Sequence, residues 1–251
     1  MDMDTVMAQT RNMHTLARFK SLALKHFKME TQEFRHLDVG HNKPYHIRMM
    51  NNVAAGFPHA NFVYYDNSAP EGGDIDRDNV NADRGSLWDK WAQILFGVSP
   101  EKIAKKRLVL PKNLTITSCP RGEFNSATYL WTLHEFEGDA RKSLEGVYGL
   151  LKVGGRIGIM DYALGDLRSL ASNEWEGAIT KLFDSGNEQV VLAKEGVETC
   201  VQMHSQYTPE TLAGLVESVG FAPIPGAQKI EYRKFKEKKY PKTYMGFWEK
   251  Q

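Results

Sequence analysis

One stretch restricts the fold more than any other: Asn125 to Leu164, NSATYLWTLHEFEGDARKSLEGVYGLLKVGGRIGIMDYAL. Ala127 to Leu133 is a short run of aromatic and β-compatible residues, the composition of a buried strand. Asp139 to Leu151 has helical spacing, with Leu144, Val147, Tyr148 and Leu151 along one face. Gly154-Gly155 ends that helix where φ must be free to turn positive. Arg156 to Met160 returns as a strand and closes on Asp161-Tyr162. Two strands joined by a helix of this length form a parallel βαβ unit, so the chain is of the α/β class. Ligands of such sheets sit beyond the carboxyl ends of the strands. His134-Glu135 follows one strand and Asp161-Tyr162 follows the other, so both pairs face one crevice.

The phrase LHEFEGDARKSLEGVYGLLKVGGRIGIMDY resembles the central block of class I S-adenosylmethionine-dependent methyltransferases, especially the type 11-like, small-molecule branch. There a strand ending in a Leu-His pair leads to a helix, then Leu-Lys-Pro-Gly-Gly, then an apolar strand ending in an acid. Leu151-Lys152-Val153-Gly154-Gly155 departs from this only by Val153 for proline. The resemblance implies a Rossmann-like α/β fold: a mostly parallel seven-stranded sheet with an antiparallel C-terminal strand and helices on both faces. It also implies S-adenosyl-L-methionine as cofactor and methyl transfer to a small or medium-sized acceptor. His134 is then the candidate base or substrate-orienting group, because imidazole titrates near neutrality. Glu135 interacts with it or with the methionyl end of the cofactor, and Asp161 and Tyr162 shape the acceptor pocket. For each, a satisfied strand-end hydrogen bond is the alternative. Leu133 counts among the cofactor contacts.

Phe34 to Val39 is the expected first strand, followed by Gly40-His41-Asn42-Lys43-Pro44 where the family has Gly-Cys-Gly-x-Gly. Asp38 and Gly40 match. His41, Asn42 and Pro44 stand where the cysteine and further glycines let the backbone approach the ligand, and Pro44 lacks a donor. Two readings stand: a degenerate loop in which Asp38, Gly40 and His41 still hold the cofactor, or a relic loop in which Asp38 caps the next helix. Asn61 to Tyr65 is the second strand, and Asp66-Asn67 at its end suits ribose hydroxyls or a plain turn. Leu114 to Thr117 is the expected third strand. Cys119 beyond it lines the adenine pocket or serves as a small buried hydrophobe.

Residues 1–30 form an N-terminal helical segment, either packed on the domain edge or closing over the pocket as a lid. Residues 31–251 form the methyltransferase-like domain, with an insertion at about 68–97. Asp74, Asp76 and Asp78 open that insertion with calcium-loop spacing, but Asn79 and Gly85 stand where the turning glycine and bidentate glutamate belong, so a solvated loop is the better reading. Thr208 caps a helix that stops at Gly220. Two C-terminal strands, Gln228 to Phe235 and Thr243 to Glu249, follow, joined by a lysine-rich tip that suits solvent better than RNA.

A net charge of +1 over 251 residues provides no field for nucleic acid or an anionic membrane. No apolar run approaches the roughly 20 residues of a membrane span, and the first residues lack signal-peptide architecture. Cys119 and Cys200 suggest neither a disulfide framework nor a zinc site, and the histidines have no metal-ligand spacing. A cytoplasmic enzyme with a small-molecule acceptor is the expectation, with a homo-oligomer or protein partner left open. The alternative is a catalytically silent methyltransferase-like subunit, for which the altered loop after the first strand speaks.

Overall fold

The computed structural model describes residues 3–27, 34–39, 61–65, 107–109, 121–136, 140–182 and 196–251. Its centre is the expected βαβ unit: β4 (Phe124–Leu130), α2 (Ala140–Leu150) and β5 (Leu151–Tyr162) follow the strands β1 (Arg35–Val39), β2 (Asn61–Tyr65) and β3 (Arg107–Val109). The helix α1 (Met3–His26) precedes them. After β5 come α3 (Trp175–Leu182), α4 (Val197–His204) and α5 (Pro209–Glu217), then β6 (Phe221–Pro223), β7 (Lys229–Phe235) and β8 (Lys238–Lys250).

The strand order is β3-β2-β1-β4-β5-β8-β6, with β7 also pairing to β8. The first five strands run parallel, while β8 is antiparallel to β5, β6 and β7. Among the described residues the sheet has eight strands, where seven are expected. The 13-residue β8 explains the difference, because it carries β7 along its first half and still has Trp248 to Lys250 left to pair with β6. The order reverses between β1 and β4, the kind of switch point beyond whose carboxyl ends ligands bind in open α/β sheets.

Alternation along the strands builds a core on each face. Leu37 and Val39 of β1, Ala127 and Tyr129 of β4, Ile157 and Ile159 of β5 and Trp248 of β8 pack with Leu144 and Val147 of α2 and Leu212 and Val216 of α5. On the other face Leu130, Met160, Met245 and Phe247 meet Leu16, Phe19 and Ala23 of α1, Ile179 of α3 and Val201 of α4. Gly158 is what lets α1 come close: a Cβ there would lie 2.6 Å from the Phe247 ring and 3.0 Å from that of Phe27. Thr15 and Arg18 on α1 bind the Glu231 carboxylate of β7 at 2.6 and 3.0 Å.

Two boundaries differ from expectation for local reasons. The strand β4 stops at Leu130 because Trp131 takes φ 50°, a left-handed conformation that turns the chain out of the sheet. The helix α2 ends at Leu150, and β5 begins at once by pairing Leu151 with Phe124. Lys152 to Gly155 then bulges from the ladder, with Gly154 at φ 73°, before Arg156 resumes pairing with Ser126. The glycine pair thus turns the chain as expected, but inside the strand. The third of the described strands is Arg107–Val109; the expected strand Leu114 to Thr117 lies outside the described residues.

Candidate active site

The carboxyl ends of β1, β4 and β5 lie side by side, and each delivers an ionisable group to one rim of the sheet. From β1 comes Asp38, next to last in its strand. The 3-10 turn Leu133–Phe136 after β4 delivers His134, and Asp161 is next to last in β5. His134 and Asp161 meet: Nδ1 lies 2.6 Å from Asp161 Oδ1, and the His134 backbone N–H donates to Oδ2 at 3.1 Å. The backbone N–H of Tyr162 donates to Oδ1 at 2.7 Å. Three donors hold this buried carboxylate in one orientation, as an uncompensated buried charge would be unfavourable.

That orientation fixes the chemistry of the imidazole. With Nδ1–H donating to a carboxylate, the neutral ring has its lone pair on Nε2, and the carboxylate stabilises the imidazolium formed when Nε2 takes a proton. At 3% exposure the ring is out of bulk water. Its carbonyl accepts from Gln206 Nε2 at 3.0 Å. Tyr162 stands edge-on to His134 at 5.1 Å, and His204 is tilted against it at 5.1 Å. Trp131 stacks on Tyr162 at 6.3 Å. Tyr207 stands near the pair: burial, and then the charge of Asp161, push its phenol up to about 12, so it keeps its proton at neutral pH. The site therefore joins an oriented acid–base pair to an aromatic wall.

The second group is Asp38. Thr128 Oγ1 donates to its Oδ1 at 2.6 Å across the β1–β4 pairing, where Asp38 and Thr128 are register partners. This carboxylate is buried near the carboxyl end of β1. At the described rim Asp38 presents a carboxylate acceptor, a match for the hydroxyls or the amino group of the S-adenosyl-L-methionine that the resemblance implies. Leu133 is fully buried in the cluster with Leu37, Val39 and Tyr129. The candidates Gly40, His41, Asp66, Asn67 and Cys119 lie outside the described residues, as does the side chain of Glu135. Among the described residues no group of His, Cys, Asp and Glu could hold a metal ion, and no helix is long and apolar enough to cross a membrane.

Several participants were not singled out from the sequence: Thr128, Trp131, His204, Gln206 and Tyr207. One signal was available for Thr128, since Ser126 and Thr128 alternate with apolar residues as His36 and Asp38 do, a period-two polar pattern in two buried strands. For His204 and Tyr207 only the folded chain brings them to His134.

The fold, a parallel sheet with a switch point between β1 and β4 and one reversed strand beside β5, has the Rossmann-like form that the resemblance of the central block implies. No protein-family model and no curated protein matches the chain. Solved structures do. The [4+2]-cyclase SpnF matches with TM-score 0.55 at 11% identity, over 93% of this chain and 80% of its own. YcgJ from Bacillus subtilis matches with TM-score 0.52 at 14% identity, over 92% and 98%. The carbon methyltransferase DszA matches with TM-score 0.51 at 11% identity, over 92% of this chain. The chain spans about half the length of several structures it matches, 50% of DszA and 51% of an O-methyltransferase family protein from Burkholderia thailandensis. At these identities the likeness is one of fold; a cyclase on the same scaffold is a reminder that function resides in the site.

Proposed function

We propose that this chain is an S-adenosyl-L-methionine-dependent methyltransferase acting on a small or medium-sized acceptor. The observation that carries the reading is that the carboxyl ends of the neighbouring strands β1, β4 and β5 bring the Asp38 carboxylate and the buried His134–Asp161 pair to the same end of the sheet. It is supported by the resemblance of the central block and by the shared fold. Asp38 would hold the cofactor, with Gly40, His41, Asp66, Asn67, Cys119 and Leu133 as further contacts. The sulfonium supplies an already activated methyl group, so the protein's task is alignment and removal of the acceptor's proton. His134 Nε2 would take that proton, Asp161 would stabilise the resulting imidazolium, and Tyr162 would orient the acceptor. The aromatic wall would exclude water from the transfer.

Calorimetric titration of the full chain with S-adenosylmethionine and S-adenosylhomocysteine tests the proposal. Saturable heat with both ligands is expected, weakened about tenfold or more in Asp38→Asn, because a charge-assisted hydrogen bond is worth about 1.5–3 kcal/mol. Absence of heat and of thermal stabilisation with both ligands would refute it and leave a silent binding subunit.

A further inference from the structure

We infer that His36 and Thr128 are positioning residues for the Asp38 carboxylate, the last links of a one-way hydrogen-bond chain that starts at Ser126. The inference rests on the reading of Asp38 as a cofactor contact. His36 and Asp38 alternate on β1 and pair in register with Ser126 and Thr128 on β4, so all four side chains share one face. All four are buried.

The direction of the chain follows from proton counting. Thr128 has one hydroxyl proton and donates it to Asp38 Oδ1. At its 3.0 Å contact with His36 Nε2 the same oxygen must therefore accept, which places the imidazole proton on Nε2. A neutral ring then has its lone pair on Nδ1, where Ser126 Oγ donates at 2.6 Å. The ring is neutral at pH 7 because burial brings its pKa to about 4, although the charge of Asp38 pulls the other way. The result runs Ser126 to His36 to Thr128 to Asp38, each hydroxyl and the ring N–H donating to the next group.

Packing alone does not call for this chain. Four polar groups occupy positions in adjacent central strands where the opposite face holds Leu37, Val39, Ala127 and Tyr129. What the chain does is set the torsion of the Asp38 carboxylate before a ligand arrives, so that binding need not order it.

The test is a binding cycle with S-adenosylhomocysteine on the full chain, using Thr128→Val, Thr128→Ser, Asp38→Asn and the Thr128→Val/Asp38→Asn double variant. Thr128→Val is expected to weaken binding about tenfold, equivalent to about 1.4 kcal/mol, with Thr128→Ser restoring it. In the Asp38→Asn background Thr128→Val is expected to change affinity little. Equal losses in both backgrounds, or wild-type affinity in Thr128→Val, would overturn the inference and leave the proposed function standing; no binding by the wild type would overturn both. A second measurement needs no variant to fold. Long-range ¹H–¹⁵N NMR of the wild-type chain at pH 7 should show His36 as the Nε2–H tautomer, and the Nδ1–H tautomer or an imidazolium would overturn the chain's direction.

Discussion

Acid should destabilise this protein through His36 in a defined window. In the unfolded chain an imidazole titrates near 6.5; in the fold, burial lowers His36 to about 4, with the nearby Asp38 charge opposing. Between these values the unfolded state binds a proton that the native state refuses. Stability is then complete above about pH 6.5 and falls as pH drops from 6.5 towards 4, by about 1.4 kcal/mol per pH unit. Over the whole window this one residue accounts for about 3 kcal/mol, a large part of a typical 5–15 kcal/mol total. The measurement is urea unfolding, followed by tryptophan fluorescence, at several pH values from 7.5 to 4.5, on the wild type and His36→Gln. Glutamine keeps a donor and an acceptor to replace those of the ring but cannot titrate. The variant should be less stable at pH 7.5, and the two curves should converge as pH falls. His26, whose pKa is also lowered by burial and by the charges of Lys25 and Arg156, contributes equally to both proteins and cancels in the difference. Curves that remain parallel down to pH 4.5 would refute the argument, since His36 would then ionise alike in both states.

Three further outcomes are expected. Gly158→Ala should lower stability by about 1–3 kcal/mol in thermal unfolding, because its Cβ would intrude on the packed rings of Phe247, Phe27 and Phe19. Thr208→Ala should lower it by about 1 kcal/mol, since Thr208 and Thr211 form a reciprocal capping box at the start of α5; an unchanged denaturation midpoint would count against that cap. Asp161→Asn should remove the preference of His134 for the Nδ1–H tautomer, read by ¹⁵N NMR, and destabilise the fold by about 3 kcal/mol or more in urea. An unaltered His134 tautomer would mean that Asp161 does not orient the ring.

Much of the fold was legible because it is local. The βαβ unit, the Gly154 turn and the Thr208 cap each follow from residues within a turn or two of one another. Even there, Ala127 to Leu133 looked like one strand, because apolar composition does not distinguish a strand from the turn that follows it. The backbone does, at Trp131. The hairpin tip proved to be the two residues Lys236 and Glu237, with Lys236 paired to Glu174 and Lys234 to Glu237 at 3.3 Å.

From the amino-acid order alone one could say that His134 and Asp161 stand beyond strands of one parallel unit, because strand ends and loop lengths are short-range properties. That they are bonded to each other through Nδ1, and that Asp38 is tethered through Thr128, was decided by the register of β1, β4 and β5. Register arises when strands distant along the chain pair so as to bury Leu37, Ala127 and Ile157 on one face, and His36, Asp38, Ser126 and Thr128 on the other face are brought together by that same choice.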